Sequence, residues 1–191
     1  MKIMLLAGLG VFLLAQTGSA AAANPRVRII TSLGEFDLEV ALDRAPLSAA
    51  NFLRYVDAKL YDGTAFFRTV TMSNQPDNPV KIEVIQGGDV PEAMAFPAIA
   101  HETTAATGLR HLDGSVSMAR AEPGTASSNF FICLGNQPEL DFGGRRNPDG
   151  QGFAVFGQVI AGMEVVRRIH SSPHDKQSLT PPVTILTIRR L

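Results

Sequence analysis

From Glu35 to Val40 the chain alternates strictly between acid and hydrophobe, Glu-Phe-Asp-Leu-Glu-Val. A period of two sends one set of side chains into a core and the other into water, so this segment is predicted as a half-buried strand. Arg26 to Thr31 reads as another strand, with Ser32-Leu33-Gly34 as the turn that makes the two a hairpin. From Asp43 to Leu60 the period changes. Ala49, Phe52, Leu53, Val56 and Leu60 recur at helical steps and form one apolar stripe. Pro46 suits the first turn of that helix, where its missing N–H is not needed, and Asp62-Gly63 ends the segment as a turn.

Short apolar runs separated by glycine-rich loops follow: Ala65 to Val70, Ile82 to Gln86, Ser115 to Ala119, Phe130 to Leu134 and Phe153 to Ile160. Each is a strand candidate. Met163 to His170 is a second, shorter helix, and Val183 to Ile188 a β-branched closing strand. Many strands, two helices and no βαβ rhythm exclude a doubly wound parallel sheet. A closed antiparallel barrel removes exposed sheet edges and suits about eight strands. The predicted class is therefore mainly β.

The N-terminus stands apart from this pattern. Lys2, the uncharged apolar run Ile3 to Ala15, and the small residues Ser19 to Ala23 follow the order of a secretory signal peptide. The apolar run falls short of the roughly 20 residues that span a bilayer comfortably, which argues against an uncleaved anchor. No cysteine follows the small residues, which argues against a lipid anchor. The expected division is a leader over residues 1–23 and a single domain over residues 24–191, periplasmic or secreted, with no stable membrane association once the leader is removed. The chain's formal charge is −1 at pH 7, and losing Lys2 makes the remainder one unit more negative. No basic nucleic-acid surface is suggested. The one cysteine, Cys133, lies in the apolar run Phe130 to Leu134 and reads as a small buried hydrophobe. No intrachain disulfide can form.

Familiar catalytic signatures are missing. There is no phosphate-binding loop and no dinucleotide fingerprint. His101 and His111 lack the spacing of a metal site, and Ser127-Ser128 lacks the flanks of a nucleophile elbow. His170, His174, Arg145 and Arg146 read as solvated. No cofactor or metal is called for. What remains is apolar and polar side chains at strand spacing. Asn129 and Phe131 share one face of their strand, Phe130 and Ile132 the other. Val84 shares a face with Gln86, and Arg68 with Phe66 and Val70. Two adjacent phenylalanines cannot enter one core from one strand, so one of Phe130 and Phe131 packs elsewhere. That place is either an external apolar pocket edged by Asn, Gln and Arg, or the underside of a loop or helix.

At this point several ordered motifs resemble the cyclophilin-type peptidyl-prolyl cis-trans isomerases, in particular exported bacterial forms. They are Asn51-Phe52, Tyr61-Asp62-Gly63-Thr64, Phe66-Phe67-Arg68, Gln86-Gly87-Gly88-Asp89, Gly114 to Arg120, Ser128 to Ile132, and Phe153 to Val159 before Gly162-Met163. The resemblance runs from about Val27 to Ile188. It implies a closed eight-stranded antiparallel β-barrel capped by two α-helices, with the substrate groove on the outside. It matches Arg68 to the family's catalytic arginine and Gln86 to its groove glutamine. Phe131 becomes the floor of the proline pocket, Val84 and Leu140 its walls, and Ala119 and Arg120 the edge that meets the substrate backbone. Asn129 and Phe153 complete the groove. The implied partners are proline-containing polypeptides, and nothing demands more than a monomer.

The match has departures. Asn129 stands where glutamine is usual, Glu83 where a phenylalanine walls the pocket, Glu139 where an aromatic is common, and Phe153 where a histidine is common. Arg120 and Phe153 look bacterial. The missing aromatic at Glu139 implies weak affinity for cyclosporin. Thr71 to Lys81 lengthens the connection between Arg68 and Gln86 and is expected to project beside the groove and alter its rim. These departures keep open a cyclophilin-fold module that binds or chaperones prolyl peptides with little catalysis, and a purely structural barrel.

Overall fold

The computed structural model describes residues 23–191; the leader expected over residues 1–23 lies, up to its last residue, outside them. The elements in order are β1 (Arg26–Thr31), β2 (Gly34–Val40), α1 (Pro46–Asp57), β3 (Ala65–Val70), β4 (Val84–Gly87), α2 (Thr104–Thr107), β5 (Ser115–Met118), β6 (Phe130–Cys133), β7 (Ala154–Ala161), α3 (Met163–His170), β8 (His174–Asp175) and β9 (Ser178–Arg190). The sheet runs β1-β2-β7-β5-β6-β4-β3-β9, and β1 pairs with β9 to close an eight-stranded antiparallel barrel. The two-residue β8 pairs only with the start of β9, as a hairpin appended to the wall.

The period-two hairpin forms as the alternation requires, with Arg26 opposite Glu39 and Thr31 opposite Gly34. Phe36, Leu38 and Val40 point into the barrel and are buried. The helical stripe becomes α1, whose Ala49, Phe52, Leu53 and Val56 are buried. Its own N-cap supplies no side-chain bond. Glu102, 54 residues away, accepts the N–H groups of Leu47 (3.0 Å) and Ser48 (2.6 Å) instead, which places a carboxylate at the positive end of the helix. The short α2 adds a third helix to the two read from the sequence; four residues leave no periodicity to read.

Phe52 stands at the centre of the interior, 5.4 Å from Tyr61, 5.4 Å from Phe130 and 5.0 Å from Phe156 between ring centroids. Each such ring contributes about 1.5–3 kcal/mol by leaving water. The helix and the turn after it also hold the strand that carries Phe131. Asn51 Nδ2 donates to the Ser127 carbonyl (2.5 Å) and Tyr61 Oη to the Ser128 carbonyl (2.8 Å). The approach to β6 is thereby pinned from inside the barrel.

A second apolar cluster lies on the outside. Val70, Ile82, Val84, Phe131, Cys133 and Leu140 pack together, with Ala119 and Phe153 against them. Phe130 goes into the main core and Phe131 into this outer cluster. The question left by the two phenylalanines is answered in favour of the external pocket. Cys133 is fully buried there, and burial pushes its thiol pKa far up.

Candidate active site

Two neighbouring strands and a bulge place Arg68. On β3, Phe66 faces Gly87 of β4 and Arg68 faces Gln86, so Phe67 is an extra residue without a partner. A bulge of this kind reverses the alternation of side chains. Phe66 consequently sits in the main core, while Arg68 and Val70 face outward. This corrects the expectation that Arg68 shares a face with Phe66. The Gln86-Gly87-Gly88 motif fits tightly beside the bulge. A Cβ on Gly87 would come within 2.8 Å of the Phe66 ring, and one on Gly88, which has φ of 80°, within 2.8 Å of the Phe130 ring.

The guanidinium of Arg68 is held by two amide oxygens. Nη1 donates to Gln86 Oε1 (2.8 Å); Nε (2.9 Å) and Nη2 (2.6 Å) donate to Gln177 Oε1. Gln177 lies in the β8–β9 turn, where its carbonyl accepts the Thr69 N–H and its own Nε2 donates to the Asn74 carbonyl. Both holders are neutral, so they fix the plane of the guanidinium without cancelling its charge. Burial lowers the Arg68 pKa from its ordinary value, yet an arginine stays protonated. Five N–H groups are available to a guanidinium, so donors remain for a substrate.

Beside this arginine is a groove of about 310 Å³, lined by Arg68, Val84, Gln86, Ala119, Arg120, Phe131, Leu140 and Phe153. Every site residue read from the sequence is there except Asn129. The Asn129 side chain turns away to Asp89 Oδ1 (3.4 Å) and Ser128 Oγ. Glu83 does not wall the groove either. Ile82 does, buried within the outer cluster, because the long connection reaches β4 one position earlier than the resemblance implied. Phe131 is only 5% exposed. Its ring meets Phe153 edge-on at 5.3 Å and stacks on His111 at 5.8 Å with 9° between planes.

His111, which the sequence gave no reason to place here, supports that floor from behind. It is 1% exposed. Its Nδ1 lies 2.8 Å from Asp141 Oδ1, which also accepts the His111 backbone N–H (3.0 Å), and its Nε2 lies 3.0 Å from Ser117 Oγ. An ionised Asp141 requires the proton on Nδ1, which leaves Nε2 to accept from the serine. Burial lowers the His111 pKa against the opposing pull of Asp141. Burial raises that of Asp141, but the hydrogen bonds from His111 outweigh it and the net shift is downward. The imidazole is therefore neutral. Ser117 is fully buried, so the trio has no access to substrate and is structural.

Arg120 is committed to its neighbours. Its side chain is 1% exposed. It makes a two-pronged pair with Asp149 (2.7 and 3.0 Å), donates to the Gly152 carbonyl, and lies 5.2 Å over the Phe153 ring. Arg146, expected to be solvated, is half-buried and lines the groove with Asn78 and Asn147. Its Nη1 donates to Gln75 Oε1 (2.8 Å) and to the Val80 carbonyl (2.5 Å). Gln75 is itself 4% exposed and bonds across its own loop to Thr71 and Ile82. The Thr71–Lys81 segment is thus folded back on a buried glutamine and clasped by Arg146, and it forms the groove rim through Asn78. Glu139 is held by Arg145, whose side-chain and backbone N–H bonds draw its pKa down to about 2. His170 is not free in solvent either: its Nε2 lies 2.9 Å from the Val70 carbonyl. Among the described residues no group of three or more His, Cys, Asp or Glu side chains could hold a metal ion.

A closed antiparallel barrel with an outer apolar groove, and an immobilised guanidinium at its edge, defines a class of barrels whose site lies outside the packed interior. Residues 26–190 match the family model "Cyclophilin type peptidyl-prolyl cis-trans isomerase/CLD". Peptidyl-prolyl cis-trans isomerase A of Dickeya dadantii is 36% identical over 155 residues, covering 78% of this chain and 73% of the relative. A peptidyl-prolyl cis-trans isomerase of Acinetobacter baylyi is 34% identical over 177 residues, with 88% and 87% covered. The crystal structure of a Cryptosporidium parvum cyclophilin-type isomerase superposes with a TM-score of 0.71 at 23% identity, over 88% of this chain and 98% of that one, a likeness of fold. The chain belongs to the cyclophilin-type peptidyl-prolyl cis-trans isomerase family, and its enzyme class is that of the family.

Proposed function

We propose that this protein accelerates cis–trans isomerisation of X-Pro bonds in polypeptides folding after export, with Arg68 stabilising the twisted amide. An amide rotates over a barrier of about 18–20 kcal/mol, while the two X-Pro isomers differ by only roughly 0.5–1 kcal/mol. The catalyst has to favour the midpoint alone. There conjugation is lost and the proline nitrogen regains its lone pair. A cation fixed beside that nitrogen binds the midpoint better than either planar end. The apolar cluster around Phe131 accepts the pyrrolidine ring, and Ala119 and Arg120 border the peptide. A relative of this fold was crystallised in the presence of the dipeptide Ala-Pro, which is consistent with such an occupant. The observation that carries the reading is the Arg68 guanidinium, clamped by two neutral glutamines at the edge of the apolar groove. The export context rests on the leader pattern of residues 1–23.

The test is isomerisation of an X-Pro peptide by the leader-free protein and by its Arg68→Ala variant. Strong catalysis by the first and loss in the second is expected. Equal activity of the two would remove Arg68 from the mechanism. Peptide binding with no catalysis by either would favour a prolyl-peptide-binding module.

A further inference from the structure

Three arginines line the groove, and they are not in the same state. Arg120 has a carboxylate partner, Asp149. Arg68 has its Nε/Nη2 edge engaged by Gln177 and its Nη1 by Gln86. Arg146 is tethered through Nη1 alone, to two neutral oxygens. Among the described residues it has no carboxylate within salt-bridge distance. Among the described residues its Nε and Nη2 have no hydrogen-bond partner, and neither is a fully buried unsatisfied atom. That is the edge of a guanidinium that takes a carboxylate with two parallel bonds.

The position of Arg146 gives this edge a use. Arg146 and Asn78 line the groove and also a second surface depression, which holds Lys176 and the single acid Asp77. They stand on the saddle between the two, and a peptide leaving the proline pocket in that direction must cross them. Among the described residues no Asp or Glu lines the groove itself. Burial chiefly, and the nearby charge of Arg68 as well, lower the Arg146 pKa. An anionic side chain would offset both the desolvation and the like charge.

We propose that Arg146 is a specificity-determining residue, forming with Asn78 a subsite for the carboxylate of an aspartate or glutamate close to the isomerising proline. The proposal rests on the isomerase reading above. The clasp by Gln75 and Val80 pre-organises the fork, so little side-chain entropy is lost when the carboxylate arrives. A lysine at the same place in the substrate would meet like charge.

The experiment uses X-Pro peptides identical but for Glu, Gln or Lys at each position flanking the X-Pro pair. Each is assayed for kcat/KM at low and high salt, with binding followed separately by fluorescence titration. For one flanking position the Glu peptide is expected to exceed the Lys peptide by about five- to tenfold, the range of a partly screened two-pronged pair, and salt should shrink the gap. Arg146→Gln should erase the preference. Because that change also loosens the clasp, Asn78→Asp is the second variant. It keeps the acceptor for the Val80 N–H and places a carboxylate on the saddle, so the Glu preference should vanish or invert. A wild-type protein indifferent to the flanking charge overturns the proposal, as does a preference that survives both variants. If no peptide is isomerised, the proposed function fails on its own, and the binding titrations still decide whether Arg146 selects acidic peptides.

Discussion

The neutrality of the two residues that hold Arg68 can be tested by one atom exchange. Gln177→Glu replaces the amide nitrogen by oxygen and keeps the acceptor that now receives Nε at 2.9 Å and Nη2 at 2.6 Å. The guanidinium should stay where it is. Its field should not. A carboxylate bonded to the guanidinium cancels much of its field in the groove; at an effective dielectric of about 20 and on the order of 6 Å, a full unit charge is worth about 3 kcal/mol, the upper bound on the loss. That bound corresponds to about a hundredfold in rate. The loss should fall on kcat rather than KM, because the charge matters at the twisted midpoint and little to either planar isomer. The new ion pair should offset most of the cost of losing the bond from Gln177 Nε2 to the Asn74 carbonyl, so the thermal midpoint should stay close to that of wild type. Gln177→Ala is the companion. It removes two bonds to a charged donor, each kind worth about 1.5–3 kcal/mol, and should reduce kcat/KM by about ten- to a hundredfold through lost orientation. The assay is isomer-specific cleavage or NMR exchange of an X-Pro peptide, with thermal melts of each variant. If Gln177→Glu were as active as wild type while Arg68→Ala was inactive, the electrostatic account of Arg68 would be wrong.

Stability should fall in mild acid because of His111. Its folded pKa lies below the ordinary imidazole value of about 6.5, so the unfolded chain binds the proton first. Each pH unit below that value costs up to about 1.4 kcal/mol until the folded histidine protonates. The depressed Asp141 carboxylate adds a further loss at lower pH, as it is protonated in turn. Urea midpoints from pH 7.5 to 5 should show this slope in wild type and a flatter one in His111→Gln. Gly88→Ala should destabilise by about 2–4 kcal/mol, combining a left-handed backbone at φ of 80° with a Cβ 2.8 Å from Phe130; a chemical melt within about 0.5 kcal/mol of wild type would contradict that packing. Cyclosporin should inhibit weakly, since Glu139 is ionised and tied to Arg145 where the family commonly has an aromatic. Nanomolar inhibition of the purified protein would sink that expectation.

The barrel and most of its outer groove were legible because they follow from short-range rules. Alternation gives the β1–β2 hairpin, a helical stripe gives α1, and two adjacent phenylalanines on one strand demand a second apolar site. The same alternation misplaced Phe66 relative to Arg68. A bulge at Phe67 costs no unusual residue type and leaves no mark in a hydrophobic pattern, yet it turns the arginine outward. The groove alignment slipped by one residue at Ile82 and Glu83 for a related cause. An inserted connection shifts register, and only the burial of Ile82 in the outer cluster settles which residue forms the wall.

Two of the residues that sequence reasoning missed, Gln177 and Arg146, have remote partners. Gln177 is 109 positions from Arg68, and Arg146 is 71 from Gln75. Gly-Gly-Arg-Arg-Asn-Pro-Asp is loop composition, which points Arg146 to solvent, but composition says only that a segment is not regular. What orders this loop is the other long loop. Gln75 buries its amide against Thr71 and Ile82, and its oxygen also accepts from Arg146, which ties the second loop to the first. Removing the Gln75 side chain should therefore release the Arg146 end of the groove before it disturbs Arg68, whose holders lie on β4 and the β8–β9 turn. The clasp and the clamp meet in the Thr71–Lys81 loop, where Gln75 holds Arg146 and the Asn74 carbonyl accepts from Gln177. On the proposed mechanism Arg68 would act on any X-Pro bond that enters, and the two long loops would bias which chains present one.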